Sequence, residues 1–334
     1  MDRRDLLKSL VGLTAGLTVS ATGVASQSGN DTLGEILPTR KLGRTGEQVT
    51  MLGLGGHHIG WTTERDAEET IRAAIEGGIR FFDTAESYSD GVSEERYGKY
   101  LTPQYRDQVF LMTKSRSDDV ETARKHLEGS LNRLNTDYLD LWQVHSVQSR
   151  ADVDKRQENG VFKVMQEAKE EGLVRYIGFT GHKTPAAHQR VLEMMGRDTI
   201  FDTVQMPVNV LDFSYHSFIE NVMPIALDRS MGILAMKTLA DGRFFQKKVQ
   251  EDRVKWETEK PVIPDKISIE EALQFVWSLP VSVIITGAEN AELLREKIAI
   301  AKSFVSLDEE KRIQLADRVR DLAETGEYEY YKDV

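Results

Sequence analysis

The sequence predicts a closed (β/α)8 barrel, an α/β fold of the TIM-barrel type with an N-terminal hairpin and a C-terminal helix. Three observations predict it. After Pro38, eight strand-like runs alternate with eight helical runs in one unbroken series. Strands separated by helices pair in parallel. Eight such units in a chain of 334 residues fit a closed barrel better than a doubly wound open sheet.

The elements follow in order. "TRKLGRTGEQVTML", residues 39–52, reads as a hairpin turning at Thr45-Gly46, placed to cap the barrel bottom. The first unit pairs the strand "VTMLGLGG" with the helix "ERDAEETIRAAIEGG", whose apolar residues recur at helical spacing. "IRFFDT" and "VSEERYGKYL" form the second unit, "QVFLMTKS" and "DVETARKHLEGSLNRLN" the third. The fourth is "YLDLWQVHS" followed by "GVFKVMQEAKEEG", which closes on Gly172. In the fifth, "LVRYIGFTG" precedes "TPAAHQRVLEMM"; Pro185 sits in the first turn, where a missing N–H costs little. "FDTVQMPVN" with "SFIENVMPIALDRS" makes the sixth. The seventh strand, "GILAMKTL", is followed by "SIEEALQFVWSL", with Ser268 as N-cap. The eighth is "VSVIITGAEN" and "AELLREKIAIAKSF", after which residues 307–334 add a helix and a polar tail. The connection from Lys237 to Lys266 is long, carries Phe244, Phe245 and Trp256, and has the length of a functional lid or a disordered segment.

Composition narrows the function. A net charge of -11 with no basic block argues against nucleic-acid binding. The absence of cysteine removes disulfides, iron–sulfur clusters, zinc–thiolate sites and a thiol nucleophile together, and suits an oxidising compartment. The histidines are scattered, so a metal hydrolase on this barrel is disfavoured and no metal is expected.

Residues 1–25 have the anatomy of a signal peptide: a charged start, an apolar stretch from Leu10 to about Val24, and small residues toward Ala25. The stretch is too short for a comfortable membrane span. Arg3-Arg4, followed by Leu6, Leu7 and Lys8, resembles a twin-arginine export signal. An exported, periplasmic or extracytoplasmic location follows as an expectation, with the export machinery as a partner and cleavage after Ala25. Residues 26–38 read as a flexible tail, and residues 39–334 as the barrel domain.

In a (β/α)8 barrel the reacting groups come from the C-terminal ends of the strands. Asp83 ends the second strand, Lys114 the third and His145 the fourth, while Tyr88 lies in the loop leaving the second. Each alone has an ordinary structural explanation; together they converge on one mouth. A tyrosine is a poor acid at neutral pH. A neighbouring ammonium favours its phenolate, which predicts a Tyr88 made more acidic by Lys114. Asp83 can pair with Lys114 and make its burial tolerable. His145 can hydrogen-bond a carbonyl oxygen beside Tyr88. The set is a proton donor facing a carbonyl, with neither nucleophile nor metal cage, and it needs a hydride partner such as a nicotinamide cofactor.

From Lys41 to Ser303 the chain resembles the aldo/keto reductases, on "GIRFFDTAESYSDGVSEERYGKYL" and "TDYLDLWQVHS". The resemblance implies Tyr88 as general acid/base, Lys114 and Asp83 tuning it, and His145 aligning a carbonyl or sugar substrate. It also implies NAD or NADP bound across the mouth without a Rossmann domain. "GLGGHHIG" lacks the third glycine of a dinucleotide fingerprint, with His58 in its place. It reads better as a strand exit and loop whose glycines, Gly56 among them, let the backbone approach the cofactor.

Several positions depart from the family pattern. Where many members have Ser-Asn for the carboxamide, this chain has Thr180-Gly181; the hydroxyl is kept and the amide lost. Gln205 matches the sixth-strand glutamine. Met236 and Lys237 stand where an aromatic usually stacks on the nicotinamide, as in a Met-Lys subgroup. After the eighth strand, Gly287 and Ala288 suit close backbone approach to phosphate, and Glu296 joins the cofactor set from the following helix. Glu289 and Leu293 occupy frequent basic sites, so NAD is expected to bind at least as well as NADP. A nicotinamide-binding sensor or subunit with little turnover is the competing reading, opposed by the intact set of four.

Overall fold

The computed structural model describes residues 29–242, 244, 249–250, 254–255 and 266–332. The export signal, its cleavage point, Phe245 and Trp256 lie outside the described residues.

Two antiparallel hairpins precede the barrel. Strands β1 (Gly29–Asp31) and β2 (Gly34–Ile36) form the first; β3 (Thr39–Lys41) and β4 (Gln48–Thr50) form the second. The first occupies sequence read as a flexible tail. Arg80 holds it, donating to both Asp31 oxygens at 2.6 and 3.0 Å, while the Leu37 amide donates to the Gly78 carbonyl at 3.0 Å. In the second, the Arg44 amide and guanidinium reach the carbonyls of Ser230, Thr199 and Phe201. These acceptors precede barrel strands, so both hairpins sit on the bottom face.

Strands β5 (Leu52–Gly55), β6 (Phe81–Asp83), β7 (Phe110–Ser115), β8 (Leu139–Val144), β9 (Val174–Thr180), β10 (Thr203–Pro207) and β11 (Gly232–Met236) pair in parallel in chain order. After the short antiparallel pair β12 (Val249–Gln250) and β13 (Val254–Lys255), strand β14 (Val283–Thr286) pairs with β11 and β5 and closes the barrel. The expected fold is thus the observed one.

Strand periodicity sorts the side chains. Phe81 and Asp83 point inward from β6, Phe110, Met112 and Lys114 from β7, and Leu141 and Gln143 from β8. The lower interior is apolar: Phe81 stacks on Phe110 with ring centroids 4.9 Å apart, among Leu42, Val49, Met112, Leu141, Leu234 and Val283. The upper interior is polar, and the same alternation that fills the bottom places charge at the top. Outward-facing residues such as Phe82, Leu111 and Trp142 bury against the helices in a second, larger core.

The helices start where the sequence offers caps. Thr63, Asp119, Thr184 and Asn290 each accept from a backbone amide in the first turn, and Ser268 forms a reciprocal capping box with Glu271. Two of the helices that were not expected bear on the site. "GHHIGW" is a short helix rather than a loop. Residues Arg150–Glu158 form another within the connection after His145; only Val153 and Arg156 are buried in it, so it has no apolar stripe to reveal it.

The C-terminal tail docks instead of trailing into solvent. Lys332, Asp212 and Glu329 are all buried; the Lys332 ammonium donates to Asp212 Oδ1 at 2.7 Å, to Glu329 Oε2 at 2.9 Å and to the Tyr215 carbonyl at 2.8 Å. Asn209 donates to Glu329 and to the Tyr331 hydroxyl, both at 2.9 Å. The segment returns to the barrel top, where the Tyr331 ring meets the Lys237 ammonium at 5.6 Å and the His182 ring at 6.1 Å.

Candidate active site

The C-terminal strand ends enclose a cavity of about 460 Å³. Asp83, Tyr88, Lys114 and His145 all line it. Asp83 and Lys114 come from neighbouring strands at the top of the inward rows. The Lys114 ammonium lies 2.8 Å from both Asp83 oxygens, donates to the Thr84 carbonyl at 2.7 Å, and reaches the Tyr88 hydroxyl at 3.1 Å. Three donor hydrogens therefore have three acceptors, which fixes the ammonium.

Tyr88 returns to the strand ends because its loop reverses sharply. Ser89, Asp90 and Gly91 have left-handed φ values of 52°, 55° and 94°. Asp tolerates that region and Gly occupies it freely. His145 stands one residue beyond β8, its amide bonded to the Ser115 carbonyl at 2.8 Å. The unexpected helix 150–158 supports it: Arg156, held by Asp152, donates to the His145 carbonyl at 3.0 Å. The rings of His145 and His57 stand edge-on to Tyr88 at 5.7 and 5.2 Å.

Protonation follows from burial and charge. Burial raises Asp83 above the usual carboxylate range against the pull of Lys114, and Gln205 donates to it at 3.3 Å. Burial alone would lower Lys114, but Asp83 and the Tyr88 oxygen overrule it and raise the ammonium above its ordinary value. Lys114 and Asp83 are held in contact as an ion pair at 2.8 Å. Tyr88 corrects the expectation from sequence: burial pushes the phenol up, and the Lys114 charge opposes this without cancelling it. Burial holds His145 well below the usual imidazole range, aided by Lys114 and Arg116, so the ring is neutral.

The expected cofactor residues divide. Thr180, Gly181, Gln205, Met236, Lys237, Gly287, Ala288 and Glu289 line the cavity. Gly56 does not; it is packed beneath, where a Cβ would lie 2.6 Å from the Asp83 carbonyl and the Ser93 hydroxyl, and its neighbour Gly55 is the lining residue. Glu296 is exposed on its helix and outside the lining. Two buried polar atoms on the wall, Gln205 Oε1 and Thr238 Oγ1, have no hydrogen-bond partner among the described residues. Gly287 packs so tightly on His58 that a Cβ would come within 2.1 Å of the ring. Unsatisfied amide and hydroxyl groups at one end, with a glycine turn and a capped helix start at the other, fit a nicotinamide dinucleotide.

Sequence reasoning missed Lys297. It lines the cavity, donates to the Gly287 carbonyl at 2.5 Å, and burial lowers its ammonium to about 8. The signal was present: Leu293, already assigned to this site, is four residues away on the same helical face. Arg295, two residues earlier on the same helix, is exposed. Arg116, His57, His58 and His182 also line the cavity.

Comparison with known proteins bears on the family and the fold. The model of the aldo/keto reductase family matches residues 51–318. Aldo-keto reductase YhdN of Bacillus subtilis (strain 168) is 34% identical over 229 residues, which cover 62% of this chain and 63% of that protein. Oxidoreductase YqkF of the same organism is 27% identical over 301 residues, covering 81% and 93%. Among solved structures, the holo form of aldo-keto reductase AKR11C1 from Bacillus halodurans superposes with a TM-score of 0.69 at 21% identity, over 84% of this chain and 96% of that one. An aldo-keto reductase from Klebsiella pneumoniae in complex with NADPH gives 0.64 at 22%, over 84% and 95%. At those identities the two structures speak to the fold.

Proposed function

This chain belongs to the aldo/keto reductase family, and on that premise we propose that it interconverts a carbonyl and an alcohol with Tyr88 as general acid/base. The observation that carries the proposal is the single ammonium of Lys114 touching both Asp83 and the Tyr88 hydroxyl. A nicotinamide cofactor, when bound, supplies or accepts the hydride. Gln205 and Thr180 would hold its carboxamide beside Met236, and the Gly287–Ala288 turn with Lys297 its phosphates.

The chain's own residues handle the proton. In reduction, Tyr88 gives its hydroxyl proton to the carbonyl oxygen, and the Lys114 ammonium at 3.1 Å stabilises the phenolate left behind. Asp83 keeps that ammonium in place through the transfer. Neutral His145 orients the carbonyl. Its Nδ1 faces the Ser87 hydroxyl at 3.4 Å, so with Ser87 donating, Nε2–H is the donor left for substrate.

We further propose that NADH binds at least as tightly as NADPH. Glu289 stands on the phosphate side of the cavity and repels a 2′-phosphate. Fluorescence titration with both nucleotides, after removal of any carried through purification, is the first test; NADPH binding more than about tenfold tighter, or about 1.4 kcal/mol, overturns the preference. The same titration reads Lys297. Its charge is present below about 8 and lost above, so affinity for either nucleotide should fall about fivefold between pH 7 and 9. Lys297→Met should weaken binding at pH 7 and flatten that dependence.

Export through the Arg3-Arg4 signal belongs to the same proposal. The cofactor loads before transport and stays bound, recycled by paired oxidation and reduction of sugars or similar compounds. Protein recovered from the export compartment should contain nucleotide; recovery there without any rejects retention.

A further inference from the structure

The charge lining the cavity is opposite in sign to that of the whole protein. Lys114, Arg116, Lys237 and Lys297 face two carboxylates, Asp83 and Glu289, in a chain of net charge -11. Asp83 is consumed by Lys114. Glu289 stands by Lys297 and acts on its charge, at the phosphate end. Lys237 lies over the Tyr331 ring, and Arg116 stands nearer Tyr88.

Arg116 is the informative one. It follows Lys114 by two residues, just past the end of β7, three strands around the barrel from the Gly287 turn. Its amide is held by Glu86 Oε1 at 2.7 Å, which fixes the backbone. Its guanidinium has no hydrogen-bond or ion-pair partner among the described residues. Its charge acts on both Tyr88 and His145, the two groups that flank the reacting carbonyl. A planar guanidinium suits a carboxylate, which it can grip through two parallel hydrogen bonds.

We propose that the physiological substrate is an oxo acid, whose carboxylate pairs with Arg116 while its carbonyl oxygen lies between Tyr88 and His145. This rests on the reductase reading and names its substrate class. The rim thus attracts carboxylated carbonyl compounds over neutral ones of equal length.

The test compares ω-oxo acids, from glyoxylate to 6-oxohexanoate, with neutral aldehydes of matched length, using the cofactor-saturated enzyme. At least one acid should exceed its neutral partner in kcat/KM by about ten- to a hundredfold, through KM. Arg116→Ala should erase that preference by lowering kcat/KM far more on the acids than on the neutral aldehydes, Arg116→Lys should keep part of it, and salt should weaken it. Neutral aldehydes reduced as well as every acid, or an Arg116→Ala enzyme impaired equally on both, overturns the proposal and leaves the reductase reading standing. If no aldehyde turns over, the reductase reading fails separately. The anion site is then read by calorimetric titration of succinate into the nucleotide-saturated protein: saturable heat lost in Arg116→Ala supports it, and heat that is absent or unchanged in the variant overturns it.

Discussion

Replacing Tyr88 with phenylalanine is expected to lower kcat by about 10²- to 10⁴-fold, the range for loss of a positioned general acid. KM and nucleotide affinity should change little, because the ring and its contacts with His57 and His145 remain. A variant that keeps near-native turnover would remove Tyr88 from the general-acid role, whereas a wild-type protein that binds nucleotide and reduces no carbonyl would support the sensor reading. The pH profile provides a second check. Burial raises the Tyr88 phenol, so the proton needed for reduction is present throughout the neutral range. Reduction should hold steady there and decline only at alkaline pH, while alcohol oxidation, which needs the phenolate, should rise with pH.

Lys114→Met should be the most destructive single change, because it damages chemistry and fold together. Lys114 and Asp83 are 1% and 2% exposed. Removing the ammonium strands a buried carboxylate, and breaking such a pair costs roughly 3–5 kcal/mol. Urea unfolding should show a loss of that order, alongside a kcat no better than that of Tyr88→Phe. Adding Asp83→Asn removes the stranded charge, so the double variant should recover stability without recovering activity. A double variant as unstable as Lys114→Met would mean that packing, not charge, was lost.

Much of this arrangement could be read from the chain because strand alternation is a strong constraint. Once Phe110 and Met112 face inward, Lys114 must follow them, and the neighbouring strand brings Asp83, in register with Met112, within reach of its ammonium. Other features leave weaker traces. The helix 150–158 has almost no apolar face, so periodicity could not reveal it, yet its Arg156 braces His145. The first hairpin is short and polar and depends on Arg80, 49 residues from Asp31. The docking of the C-terminus rests on Lys332 meeting Asp212 across 120 residues. The direction of the Tyr88 shift is hidden for a related reason: the adjacent charge is visible in sequence, but the depth of burial that outweighs it is not. Lys297 lies two helical turns past the Asn290 cap, on the face that Leu293 already marks.

The two hairpins fasten the start of the described chain to the bottom of the barrel, through Arg80 and the Gly78 carbonyl, while the reacting groups open at the top. Whatever grips the chain ahead of Gly29 therefore holds the barrel by its base. A carrier pulling on a leader there, or a surface to which an unprocessed leader stayed fastened, would meet the closed end and leave the mouth pointing away. If the chain is exported as proposed, the segment ahead of Gly29 and a nucleotide at the mouth would stand apart by the thickness of the barrel.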